Sequence, residues 1–459
     1  MALLDETSQW SDLVQFYDYL TRHIVPGPRS ISYFIPFLLL PVALLIPPSV
    51  MSHRQLYLVF LPLIYACEVH AWLQIGGLEV ISLTLTLWSF VLLVLRDPRR
   101  TYRRIRLTAH SDAGRDSEKG RNAFVEERYP ESLAKRIPWV LTLLVSIRFA
   151  GWKIGDPSHD KTQPAPRLTR VAFLKHAFLI IAQAFTILDL ASCYVLTDPY
   201  FVTSGMGVDE PFPPPSQDLP TLLNALRILP PRVLRGAAIA GQVYAMVTSM
   251  FYLPTIPVVG LNAIGMLPDE WSPHTWPVFF GSFSAVGERG LRGLWGSWWH
   301  HFNRHITSTP GRELAHVMGI PTTSTLGYSL LTVSAFLLSG VIHMGMIPRE
   351  PASGRMTVNM MRLYLAAFFW AQIPAFQIEL VASKLVAASV PSVPHFPTTR
   401  ILVLLWVAGW LSLTLPLLTI PFREIGYWRY FPLPVSLFRG LAGKGWLTWY
   451  DICGAIEIE

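Results

Sequence analysis

His343 sits in Phe336-Leu-Leu-Ser-Gly-Val-Ile-His-Met-Gly-Met346, near one end of a long apolar run. An ionisable side chain within a membrane helix is costly, normally faces the bundle interior, and is a functional candidate by default. On a helical wheel Thr325, Ser329, Thr332, Ser339 and Gly340 fall within about 60° of it, while Leu330, Leu331, Leu337, Leu338, Val341 and Ile342 take the remaining sides. The chemistry that suits a neutral imidazole on such a polar stripe is deprotonation of an alcohol, because the ring titrates near working pH and accepts a proton in the transition state. The competing reading is a structural histidine hydrogen-bonded to a neighbouring span, since small and hydroxyl residues also serve helix packing in membranes.

The second dense stretch runs from Glu288 to His305, Glu-Arg-Gly-Leu-Arg-Gly-Leu-Trp-Gly-Ser-Trp-Trp-His-His-Phe-Asn-Arg-His. Treated as one helix, it puts Leu291, Leu294, Trp295, Trp298, Trp299, Phe302 and Ile306 on a broad aromatic face. Gly293, Gly296, Ser297, His300 and Arg304 gather opposite, a small and polar side fit to line a passage. The alternative is an interfacial amphipathic helix whose Trp and basic residues only anchor it. His301 and His305, one turn apart, are spaced for a metal, but no carboxylate or cysteine stands near them and no metal is expected. Asp189, Gln242, Gln372, Gln377 and Glu379 are further polar groups in apolar surroundings, most of them near span ends where water is close.

The elements that must position these groups are membrane helices. Hydrophobic residues make up 51% of the 459 and charged residues 15%, with mean hydropathy +0.38, whereas soluble chains are about a quarter charged. Apolar runs long enough to cross the bilayer lie near 31–50, 55–75, 78–96, 170–196, 236–259, 324–347, 359–382 and 400–421. They predict an all-α integral membrane protein, a polytopic bundle of about eight or nine transmembrane helices. Shorter or mixed pieces at 138–150, 276–287 and 431–449 read as re-entrant or interfacial helices around an internal tunnel, because irregular backbone at membrane depth must be covered by protein or line a cavity. Prolines within spans (Pro36, Pro41, Pro62, Pro254, Pro374, Pro416) kink helices and leave room between them.

One membrane-embedded domain is expected over 1–459, with a polar N-terminal segment 1–30, a basic cytoplasmic loop 97–169 and a motif-bearing region 265–350. The N-terminal segment lacks the basic start and cleavage site of a secretory signal, so the first apolar run reads as a retained span. Arg96, Arg99, Arg100, Arg103, Arg104 and Arg106 follow the third span and place that end in the cytosol; the acidic loop 197–220 falls on the luminal side. Arg232 and Arg235 at the luminal start of the fifth span break the rule. The net charge of +7 is that of arginines flanking spans, not of a nucleic-acid surface. Cys67, Cys193 and Cys453 are too few and too scattered for a disulfide framework.

Leu294-Trp-Gly-Ser-Trp-Trp-His300 resembles the Phe-Trp-Gly-Arg-Arg-Trp-Asn/His signature of wax-synthase-like members of the membrane-bound O-acyltransferase family, and Ser339-Gly-Val-Ile-His343 is similar to the family's later small-x-x-x-His segment in a membrane helix. Arg148-Phe-Ala-Gly-Trp152 is similar to an Arg-Gly-x-Gly-Trp segment of fungal relatives. The likeness is close over 265–350, and Ser297 and Trp298 depart from it by replacing the usual arginines. It is greatest to the fungal acetyltransferases that decorate terpenoids and meroterpenoids. The resemblance implies an acyl-CoA-dependent O-acetyltransferase in the endoplasmic reticulum membrane, with acetyl-CoA from the cytosol as co-substrate, no bound cofactor, no metal, and an apolar alcohol arriving from the lipid. It implies His343 as base and His300 as the group that orients the thioester or its oxyanion. Trp295, Ser297, Trp299, Asn303, Arg304, Arg292 and Ser339 are the implied binding residues, with Arg289 a further partner for phosphate. A long-chain wax-ester or sterol-type acyltransferase is the alternative within this class. A transporter is the alternative from another class, but the sequence carries neither the internal repeats nor the midplane charge pairs that would favour it.

Overall fold

In the computed structural model the described residues are 31–75, 79–108, 123–146, 149, 151–154, 168–203, 205–215, 217, 219–268, 271–300, 302–347, 355–389, 397–429 and 432–448. The N-terminal segment 1–30, Arg148, His301 and Cys453 lie outside them. The described residues open with helices α1 (Ile31–Leu45), α2 (His53–Ile75) and α3 (Val80–Phe90), the last carried on by a π turn over Val91–Leu95. After a small antiparallel sheet and α4 (Leu133–Val145) come α5 (Arg170–Thr197), α6 (Pro231–Ala263) and α7 (Ser284–Gly293). Then follow α8 (Arg304–Val317), α9 (Thr325–Met344), α10 (Val358–Trp370), α11 (Gln372–Ser389), α12 (Pro397–Glu424) and the short α13 (Leu437–Leu441).

The long helices start where the sequence offers a cap. Thr169 Oγ1 accepts from the Ala172 amide at 3.2 Å, Ser324 Oγ from Gly327 at 3.1 Å and Thr357 Oγ1 from Met360 at 3.2 Å, each satisfying an amide the helix itself leaves open. Among the described residues six helical stretches are long and apolar enough to cross a membrane, with α10 and α11 counted as one. Ile31–Leu45 and Val80–Leu95 are apolar but shorter over the described residues, so six of the expected eight or nine spans are seen at full length there. The loop expected over 97–169 also contains structure that its arginines concealed. Strands β1 (Tyr102–Thr108), β2 (Ala123–Glu127) and β3 (Trp152–Ile154) pair antiparallel in the order β2-β1-β3, with Arg104 opposite Glu127.

Polar contacts collect at two ends of the bundle. At one, Arg170 Nε donates to Asn262 Oδ1 at 2.8 Å, Lys384 Nζ to Thr325 Oγ1 at 2.6 Å and Arg400 Nη2 to Glu288 Oε1 at 3.2 Å. At the other, Arg235 binds both carboxylate oxygens of Asp198, at 2.7 and 2.9 Å, and the carbonyls of Val208 and Glu210. The Tyr200 ring lies between the guanidinium groups of Arg235 and Arg423, 4.8 and 4.9 Å from its centroid. Successive long helices therefore alternate in direction. Arg232 and Arg235, which violate the charge rule on paper, are answered by Asp209 and Asp198, so they bring little net charge to that face. Asp189 has a similar explanation. Its carboxylate accepts from Ser436 Oγ at 2.5 Å and from the amides of Leu437 and Phe438 at 2.7 and 3.2 Å, anchoring the C-terminal segment to α5.

Arg235 and Asp198 are 1% and 2% exposed, and removing one partner of such a pair leaves an uncompensated buried charge. Arg235→Met is expected to lower the folding free energy by about 3–5 kcal/mol. A melting temperature in detergent no lower than that of Arg100→Ala, an exposed-site control, would show the pair to be dispensable.

Candidate active site

The stretch from Glu288 to His305 is not one helix. Gly290 has φ 63° and ψ −138°, backbone that only glycine adopts without strain. There the chain doubles back, so that the Gly281 amide donates to the Trp298 carbonyl at 2.9 Å. Leu294–Trp298 winds as a π turn, Trp299 is extended, and helix resumes at Arg304. The two faces expected from a 100° wheel are thereby lost, because the wheel assumes a straight axis that Gly290 and the π turn interrupt.

A carboxylate from another helix holds the turn. Glu379 Oε1 on α11 accepts from the Leu291 amide at 2.6 Å and from Trp406 Nε1 at 2.8 Å, while Oε2 accepts from the Arg292 amide at 2.9 Å and lies 3.6 Å from Arg292 Nε. This is capping of a helix start by a remote acid. It also commits Arg292, an expected phosphate partner, to a structural ion pair. Glu379 was discounted in the sequence for lying near a span end; its signal was the run Gly290-Leu-Arg-Gly-Leu-Trp-Gly296, whose glycines imply a turn that needs an acceptor.

The returning arm carries the expected site residues. Ser297 Oγ accepts from Arg289 Nη2 at 2.6 Å, and Arg304 Nη1 donates to the Gly296 carbonyl at 3.1 Å. Arg304 is itself exposed. Asn303 begins α8 without capping it, and its buried Oδ1 has no hydrogen-bond partner among the described residues. His300 stacks on Phe279 at 5.5 Å and 6°, and Phe279 stacks in turn on Phe251 of α6 at 4.2 Å and 12°. Trp299 packs against Phe280 and Trp295.

His343 lies in the last turn of α9, its ring stacked 4.0 Å from that of Phe369 on α10. The ring thus packs against a neighbouring helix. Its Nδ1 is 2.7 Å from the Ser339 carbonyl and 3.4 Å from Ser339 Oγ. A carbonyl only accepts, so Nδ1 carries the proton and the lone pair is on Nε2. The remainder of the polar stripe serves packing. Ser329 Oγ donates to Gln377 Oε1 at 3.1 Å, and Gly340 lies so close to Trp370 and the Ala366 carbonyl that a methyl group would not fit.

The two halves meet through rings. Trp295 donates to Gln372 Oε1 at 3.3 Å and packs edge-on against Phe336 of α9 and Phe368 of α10; Phe368 touches Phe369, and Phe369 touches His343. Trp295, Trp299, His300 and His343 are therefore linked through a chain of ring contacts that passes by way of Phe368 and Phe369. His305 is turned elsewhere. Its Nε2 is 3.1 Å from Tyr102 Oη, Phe149 packs against its ring, and burial, reinforced by Arg312 and Arg96, pushes its pKa down to about 3. It is neutral at working pH and joins the sheet to α8.

Residues 276–371 match the model of the Membrane bound O-acyl transferase family. The chain is 24% identical to Acetyltransferase eriL of Hericium erinaceus over 69% of its own length and 74% of that protein's. It is 28% identical to Acetyltransferase ple2 of Rhodocybe pseudopiperita over 46% and 49% of the two lengths, and 38% identical to Acetyltransferase nanB of Aspergillus nanangensis over 18% of each. No solved structure matches the chain. The matched segment begins at Trp276 and ends just beyond Trp370, so it takes in the Gly290 turn, the π turn, α8, α9 and α10. These matches support an acyltransferase that draws its acyl group from acyl-CoA.

If the Gly290 turn positions this arm, Gly290→Ala should cost about 1–3 kcal/mol from backbone strain and drive the new methyl into Glu379. Its melting temperature and specific activity are expected to fall together. Wild-type stability in this variant would mean that the turn is not needed.

Proposed function

We propose that the chain, whose 276–371 segment belongs to the membrane-bound O-acyltransferase family, transfers acetyl from acetyl-CoA to a hydroxyl of an apolar terpenoid or meroterpenoid at the His343 end of α9. The observation that carries this reading is the hydrogen bond from His343 Nδ1 to the Ser339 carbonyl, which leaves Nε2 as the proton acceptor. As the alcohol oxygen attacks the thioester carbonyl carbon, Nε2 takes the hydroxyl proton. The carbon–sulfur bond then breaks and the imidazolium returns the proton to the departing thiolate, so no covalent acyl-enzyme is required. Ser339 positions the base and Phe369 holds its ring flat.

His300 donates to the oxyanion, a contribution of about 3 kcal/mol for one such group. Its stacking on Phe279 supports a fixed ring plane. Asn303, with its open buried oxygen, and Arg304, an exposed residue, receive the amide and phosphate portions of the coenzyme. Trp295 and Trp299 form the apolar wall for a rigid polycyclic acceptor, since fixed aromatic rings offer contact area at small entropic cost. The reading requires a passage joining these groups, open to the cytosol for the coenzyme and to the lipid for the alcohol, in the endoplasmic reticulum.

Microsomes containing the parent or His343→Ala, given radiolabelled acetyl-CoA and a panel of terpenoid alcohols, test the assignment. Label transfer that needs the parent protein is expected, with a loss of about 10²–10⁴-fold in His343→Ala. Turnover within a few-fold of the parent would remove His343 from the chemistry.

A further inference from the structure

Helix α1 ends at Leu45, where its last carbonyls have no partner within the helix. Protein donors answer them instead. Tyr129 Oη donates to the Leu44 carbonyl at 2.8 Å, Arg136 Nη1 to Leu45 at 2.6 Å and Arg99 Nη1 to Ile46 at 2.9 Å. All three come from the segment around the sheet and α4.

Helix α4 packs against α1, and Trp139, Val140 and Leu143 are fully buried in the core that contains Leu40 and Leu44. Its opposite side is also apolar. Leu133, Ile137, Leu141 and Val145, one turn apart, are 55%, 42%, 51% and 54% exposed. The surrounding surface carries more cations than free acids. Asp97 is taken by Arg99 and Arg100, Glu127 by Arg104 and Glu126 by Lys153, while Arg128 and Lys135 are exposed along with one acid, Glu131.

We propose that α4 lies in the plane of the cytosolic leaflet with its Leu133–Val145 stripe among the acyl chains, and that the neighbouring basic surface binds the headgroups of acidic phospholipids. An apolar stripe bordered by surplus cations is the complement of an anionic lipid surface. This inference does not depend on the reaction catalysed.

The full chain in vesicles of phosphatidylcholine and phosphatidylserine tests it, with nitroxides on Leu141→Cys and, as the span control, on the exposed Leu402→Cys, the parent's label signal being subtracted. At position 141 the label is expected to be more accessible to oxygen than to a water-soluble nickel chelate, as at 402; the reverse order overturns the in-plane placement. Native mass spectrometry reads the second part. Phosphatidylserine is expected to be retained over phosphatidylcholine, and Arg128→Glu with Lys135→Glu to reduce that preference by about fivefold per charge. Equal retention of both lipids by the parent, or an unchanged preference in the charge variant, overturns the headgroup site. The Leu402 control, read in the same preparation, shows that the labelled protein is inserted.

Discussion

Glu379 meets the chain where Gly290 reverses it, and the rest of the site depends on that meeting. A backbone reversal within a helical membrane protein exposes amide groups that no water answers, at about 1–3 kcal/mol for each left unsatisfied. One carboxylate accepts from the Leu291 and Arg292 amides and from Trp406, tying α11, α12 and the returning arm at a single point. From there the π turn carries Trp295 to Gln372, Ser297 to Arg289 and His300 onto Phe279. The chemistry proposed for His300 thus depends on an acid that need not touch substrate.

The second histidine is positioned by a different device. Close approach of α9 to its neighbours requires small residues, because side-chain volume sets the distance between helix axes. Gly340 admits Trp370 and the Ala366 carbonyl one turn before His343. On the other side Ser334 Oγ enters the α8 ladder, accepting from the Gly311 amide at 3.1 Å and donating to the Thr307 carbonyl at 2.8 Å. Helix α9 is thereby held on both sides, and the Ser339 carbonyl fixes the tautomer of His343. Groups gripped this firmly lose little freedom on reaching the transition state.

Long apolar stretches reveal themselves in sequence because the bilayer imposes length and composition together, and His343 stood out for the same reason. Features set by contacts between distant residues did not. A helical wheel assumes a straight axis through Gly290; the glycines of 290–296 hint at a turn, but nothing local announces that Glu379, far along the chain, supplies its acceptor. The pairing of Arg104 with Glu127 was hidden for another reason: arginines that set topology also occupy alternate positions of a strand, and the first role masked the second. Arg235 looked like a violation of the charge rule until Asp198 was found beside it. Asp189 and Glu379 lay near span ends, where an acid is cheap, so their capping roles were legible only in three dimensions.

The most direct measurement is an electron cryomicroscopy structure of the full chain in lipid nanodiscs with a non-hydrolysable acetyl-CoA analogue. The account requires the thioester mimic to lie beside His343 on the Nε2 side, away from Ser339, with the coenzyme reaching outward past Asn303 and Arg304. A mimic held short of the last turn of α9, or a His343 ring rotated so that Nδ1 no longer meets the Ser339 carbonyl, would contradict it.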